Sequence, residues 1–326
     1  MKRCEKFLTT QHLLIGTSLL RITMGLGMLY FFFYHFSERH LLWGASGLWP
    51  TTPFIEGAKT RGLVTLFQLT DSSWFLDMVY FSGIIVTILF IIGYRTRLFS
   101  ILAFIIIWSI YFRNPYVTNG GENILRLEMF YLLFANAGAY FSIDSWLKKR
   151  RGTPSAPKFA SLLPYQSVLH NFAVAAIIVQ LLYMYFTAGI YKVMGPMWQN
   201  GTAVYYAMRV QDYVWPGVSE KVWSSEEFIL LLTYSSVLFQ IAFPFLLLNR
   251  YTKYIALLGA MLFHLGVGLL MNLMLFSWYM ISCEMILLTD RDYRFIGNKL
   301  RKLRRKKEEK RPPNGHHEQV LLLSDK

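Results

Sequence analysis

Long apolar runs, separated by short polar or basic connections, recur from one end of the chain to the other. About eight of them approach the roughly 20 residues that a helix needs to cross a bilayer. They lie near 13–36, 75–94, 98–113, 123–142, 168–190, 227–249, 255–271 and 274–289. Inside lipid every backbone polar group must be satisfied within the protein, so such runs must be helical. The pattern therefore predicts an all-α fold, a polytopic integral membrane helical bundle of about eight spans. The stretch 255–289 is the ambiguous one. As a single helix it would be about 50 Å long, too long for one span. It is expected either as two crossings with a tight turn near Met271–Leu273 or as a re-entrant pair.

Charge sharpens the picture. Lys and Arg gather in alternate connections: Lys2, Arg3 and Lys6; Arg95 and Arg97; Lys148, Lys149, Arg150, Arg151 and Lys158; Arg250 and Lys253; and the run from Lys299 to Arg311. Positive-inside bias then expects a multi-pass protein of the cell membrane with both termini cytoplasmic. The basic leader is followed by an apolar run too long for a signal peptide and without an A-x-A site, so an uncleaved first span is expected. Residues 1–297 are expected as the transmembrane domain and 298–326 as a basic, disordered cytoplasmic tail attracted to membrane lipid. Segment 151–164 is expected as a Pro/Ser-rich inner linker. The net charge of +14 does not indicate nucleic acid, because the basic run lacks interleaved aromatics and a folded carrier.

Composition agrees. Charged residues make up 16% against about 25% in soluble domains, which argues against a water-soluble fold. The two cysteines, Cys4 and Cys283, form no CxxC, so neither a disulfide framework nor a thiol-redox pair is indicated. The outer connections 37–74 and 191–226 are aromatic, with Trp43, Trp49, Trp74, Trp198, Tyr205, Tyr206, Tyr213, Trp215 and Trp223. They read as an interfacial belt or as a lid over an outward-facing pocket.

Polar residues at membrane depth are the candidates for function. Arg21 and Glu284 stand at compatible depths in the first and last spans and are expected to pair. Glu122 and Arg126, spaced i,i+4 at the start of the fourth span, are expected as a local ion pair at a capped helix start, while Glu128 faces elsewhere and needs another partner. His264, mid-span, reads as a hydrogen-bonded core histidine or a ligand, and His170 lies at the inner end of the fifth span. No metal-binding cluster, GxSxG, P-loop or GxGxxG pattern is present. Lys192 ends the fifth span in TAGIYKVMGPMW, with small Ala188 and Gly189 before it and helix-breaking Gly195, Pro196 and Gly201 after it. A lysine partly withdrawn from water can serve as a neutral base; an interfacial anchor is the alternative.

The run AGIYK with its following tryptophan and glycine, Ala188 to Gly201, resembles the vitamin K-dependent γ-carboxylase-like superfamily, also called the horizontally transferred transmembrane domain. NGGENILRLEMFYLLF, Asn119 to Phe134, is similar to its second characteristic block. The resemblance implies a shared membrane core and maps the carboxylase base onto Lys192. An outward-facing pocket is expected at the ends of the fourth and fifth spans, with Lys192 as base or carboxylate binder, Glu122, Arg126 and Glu128 shaping charge and Trp198 covering the site. Here the Lys-to-Trp spacing is one residue longer, and the large luminal substrate-binding domain is missing. Size and the GTAVYYA continuation look closer to the bacterial branch typified by sporulation-delaying protein B. That likeness implies a membrane component for maturation or export of a secreted antimicrobial peptide. Its partners would be the peptide precursor and a small accessory protein. A lysine-based membrane enzyme and a transporter remain alternatives. The cofactor is unknown from the sequence; a quinol is allowed by resemblance only.

Overall fold

The structure, a computed structural model, describes residues 2–117, 119–152, 163–210, 215, 217 and 219–309. Tyr213, most of the 151–164 linker and the tail 310–326 fall outside them. Each of the eight apolar runs is a helix: α1 Leu14–Tyr34, α2 Ser73–Ile92, α3 Thr96–Arg113, α4 Gly120–Leu132, α5 Leu163–Met194, α6 Glu226–Leu246, α7 Thr252–Leu270 and α8 Met274–Glu284. A further helix, α9 Asp290–Glu309, follows. Among the described residues, six helices are long and apolar enough to cross a membrane; α4 and α8 are shorter. α1 packs on α2 and α2 on α3, while α5 packs on α6 and α6 on α7. The short α8 is the keel between the two groups, touching α1, α4, α5 and α7, and its Tyr279 and Cys283 are fully buried.

The 255–289 stretch is two helices joined by a turn at Met271–Leu273, where Asn272 adopts φ 53°, a form common to both expected arrangements. The fourth stretch departs from expectation: helix ends at Leu132 and not near 142. The backbone leaves the helix where neighbours can satisfy it. The Asn136 N–H donates to His170 Nδ1 at 3.0 Å, and its side chain donates to Gln11 at 2.7 Å. The Tyr140 N–H donates to the Ser18 hydroxyl at 3.1 Å, and Phe141 takes φ 49°. A hydropathy pattern registers none of these tertiary partners. Of the 298–326 tail expected to be disordered, residues 298–309 continue the helix that begins at Asp290, and 310–326 lie outside the described residues.

One end of the bundle gathers the helix starts that the basic connections precede. Asp290 accepts from the N–H groups of Leu14 and Ile15 at 3.3 and 2.8 Å, closing the open start of α1. Asp144 does the same for α3, accepting from the N–H groups of Arg95 and Thr96 at 2.9 and 2.7 Å. Lys253 meets Asp292 at 3.1 Å. The Lys2–Thr9 helix lies at this end too, through Asn171, which donates to Leu8 and Thr10 carbonyls. Both ends of the described chain therefore sit on the same side.

At the opposite end the 37–74 connection folds onto α2 and α3. Buried Arg113 donates to the carbonyls of Trp49 and Gly44, both at 2.7 Å, and Trp43 is core, packed on Phe31 and Tyr80. Trp74, by contrast, is exposed, as a membrane-interface residue would be.

Candidate functional site

Tyr185, Ala188 and Lys192 are spaced i, i+3, i+7 on α5, so they lie on one face, with about 10 Å of helix between the first and the last. That face looks into a cavity of about 500 Å³ closed by α6, α7 and α8. Its walls are apolar: Met184, Phe263, Val267, Phe276 and Met280 among them. The small Ala188 leaves the room. Next to it Gly189 lets α6 come close, since a Cβ there would stand 2.6 Å from Ile241 Cγ1 and 3.0 Å from its backbone N.

Lys192 is at the mouth. Its Nζ lies 4.9 Å from the centroid of the Trp198 ring, a cation–π distance. Trp198 is carried on the turn Gly195–Gly201, which is fastened at two points. The Gln199 side chain donates to Val193 O at 2.9 Å, and the Tyr234 hydroxyl donates to Gln199 O at 2.7 Å. Among the described residues no carboxylate lies within ion-pair distance of Lys192.

The floor is polar. The Tyr185 hydroxyl donates to Glu284 Oε1 at 2.5 Å and lies 2.8 Å from His264 Nε2; His264 Nε2 and Glu284 Oε1 are 3.4 Å apart. With its proton committed to Glu284, the tyrosine oxygen accepts from His264. This places the imidazole hydrogen on Nε2 and leaves Nδ1 as a free lone pair. That Nδ1 is buried without a partner, as is Gln240 Oε1, and both residues line the cavity. Stacking on Phe243, with centroids 3.9 Å apart, holds the tyrosine ring.

The structure thus brings Lys192, Trp198 and His264 into one cavity and attaches Glu284 through Tyr185. The other candidates lie elsewhere. Arg21 does not pair with Glu284. Its Nη1 donates to Phe90 O and Ile91 O, and its Nη2 to Phe141 O, all at 2.7 Å. It closes the end of α2, where helix carbonyls lack partners. Glu122 does not pair with Arg126. It accepts from Asn119 N–H at 2.8 Å, completing a capping box. Arg126 donates to Asn123 Oδ1 at 2.7 Å and lies over the rings of Tyr111, Phe112 and Trp108. Glu128 is fully buried with its carboxyl against the Cys283 thiol, and neither oxygen has another partner among the described residues. Asn123, the partner of Arg126, lines the cavity together with Gly120 and Ile124 of the same helix.

Tyr185 and Gln240 are the site residues that sequence reasoning missed. The one available signal was the shared helical face of Tyr185 and Lys192; among the neighbouring tyrosines of α5 it does not stand out. Among the described residues no cluster of His, Cys, Asp and Glu could hold a metal ion. The apolar walls with Lys192, Gln240 and His264 at the margins suit a lipid-soluble ring bearing polar substituents, so the quinol allowed by resemblance would fit.

Comparison with known proteins returned one finding: residues 62–293 match the HTTM domain, the domain found in vitamin K-dependent γ-carboxylase. No curated protein and no solved structure matches the chain. The matched stretch runs from the connection before α2 to the start of α9 and contains every residue of the cavity. It covers more than half of the sequence, and the chain therefore belongs to the HTTM-domain family.

Proposed function

We propose that this carboxylase-related membrane protein is a lysine-based enzyme that modifies a secreted peptide precursor at the mouth of the α5–α8 cavity. The observation that supports this is the half-buried Lys192 amine, without a carboxylate partner among the described residues, facing a cavity floored by Tyr185, His264 and Glu284. In this reading the Lys192 amine takes a proton from the bound substrate, while Trp198 orients it and screens it from water. His264 Nδ1 offers a second acceptor, and Glu284 stabilises the imidazolium that would result. Gln240 would hold a quinol, which when bound would pass two electrons and two protons to molecular oxygen as co-substrate.

The basic end of the bundle would be cytoplasmic and the Lys192 end outside, where a secreted peptide is met. The peptide is of the antimicrobial class that the resemblance implies, and a small accessory protein would present it.

Intact mass spectrometry of the peptide secreted with and without this protein is the test. A mass gain of one carbon dioxide, or an altered cleavage or disulfide state, is the expected result. An unchanged mass with only the amount altered would overturn the enzyme reading in favour of export.

A further inference from the structure

Helix α9 leaves the bundle with an apolar stripe that, beyond its first turn, no described residue covers. Tyr293, Ile296, Leu300 and Leu303 recur at helical spacing. The first of them is docked: the Tyr293 hydroxyl donates to Met285 O at 2.6 Å, and its ring lies against Gly16 near the start of α1. Asp290 holds the α1 N–H groups, and Asp292 meets Lys253 at 3.1 Å and the Tyr254 hydroxyl at 2.8 Å. The first turn is thus tied to the level at which α1 and α7 begin. Beyond it the same face is open, with Ile296, Leu300 and Leu303 exposed by 44, 55 and 56%. Lys299 borders the stripe on one side and Arg304 on the other. Arg301, Lys302 and Arg305 occupy the far face, and no acid occurs between Asp292 and Glu308.

We propose that α9 lies in the plane of the membrane surface beside the bundle, its aliphatic stripe among acyl chains and its cations on anionic lipid headgroups. A narrow apolar stripe bordered by cations is complementary to the headgroup–acyl boundary of an anionic leaflet. A second copy of the chain is disfavoured, because it would bring an equally basic face to the contact. The six long apolar helices place lipid beside the clamped first turn, so the surface is reached without any adaptor.

The test uses the full-length protein with Cys4 and Cys283 replaced by Ser and a nitroxide at Leu300→Cys or Lys302→Cys. Both are placed in nanodiscs and read by collisional relaxation with oxygen and a nickel chelate. In phosphatidylglycerol-containing discs the label at 300 should favour oxygen and the label at 302 the chelate. The contrast should be lost on combining Arg301→Glu with Arg305→Glu, and should weaken in phosphatidylcholine discs. Equal chelate access at both positions in the anionic discs would overturn the proposal. So would dipolar coupling between Leu300→Cys labels of two chains in the same disc, which would assign the stripe to a second copy. A contrast undiminished in phosphatidylcholine would overturn the role of anionic headgroups.

Discussion

Tyr185 and Glu284 meet through a 2.5 Å hydrogen bond between helices 99 residues apart in the chain, and His264 completes the set from a third helix. Replacing Tyr185 by Phe leaves the Glu284 carboxyl facing a ring edge. The expected loss is about 1–3 kcal/mol, the cost of an unsatisfied buried polar group. Glu284→Gln should cost less, because its amide oxygen still accepts from the tyrosine. Thermal unfolding in nanodiscs checks both; a Tm unchanged in Tyr185→Phe would show that the bond contributes nothing.

Lys192→Ala should abolish modification of the peptide while the protein still accumulates in the membrane. Lys192→Arg should fail to rescue it, since a guanidinium keeps its proton and cannot act as a base. Peptide mass and membrane abundance, measured in the same cells, separate the two effects. An arginine variant that works at the normal rate would reduce Lys192 to a positioning charge.

Arg21 is a fastening for the α2–α3 turn. Gly93, at φ 68°, lies so close that a Cβ there would stand 2.5 Å from Arg21 Nη1. Reversing the charge of Arg21 or of Glu284 should each cost about 3–5 kcal/mol, as breaking a buried charge cluster does. The double reversal should show no recovery, because the two residues have separate partners. Membrane abundance of the three variants is the readout, and recovery in the double variant would contradict the assignment.

Asp292 gives the clamp on α9 a pH signature. Burial works against its charge, but hydrogen bonds from Thr289, Tyr254 and Lys253 outweigh it and hold the carboxyl at about 2, below the ordinary 3.8. A lowered folded-state pKa means a contribution fully present above the unfolded value and lost as pH falls through the folded one. A nitroxide at Arg294→Cys should stay immobilised down to about pH 4 and loosen toward about pH 2. Asp292→Asn should loosen it at neutral pH. Release beginning well above pH 4 would place control of the clamp on other groups.

The helices were legible because lipid imposes a single solution on a long apolar run. The expected 75–94 and 227–249 appear as Ser73–Ile92 and Glu226–Leu246. What was not legible is how polar groups pair across the bundle. Depth along a helix can be read from a sequence, and it placed Arg21 and Glu284 alike. Azimuth cannot, and it turned one toward the carbonyl end of α2 and the other toward Tyr185. The i,i+4 spacing of Glu122 and Arg126 was sound geometry, but a nearer backbone N–H claimed the acid and aromatic faces claimed the guanidinium. Lys192 was found because helix breakers announce the end of its span; a tyrosine inside an apolar run announces nothing.

The shortness of α4 carries an electrical consequence. Its first turn borders the Lys192 cavity, and its last borders a second hollow of about 590 Å³ lined by Gln11, Ser100, Asn136 and Lys148. Thirteen residues span about 20 Å, against about 30 Å of hydrocarbon. The second hollow is polar, so water there would shift the fall of the membrane voltage onto the remaining thickness, where Glu128 and Cys283 are buried.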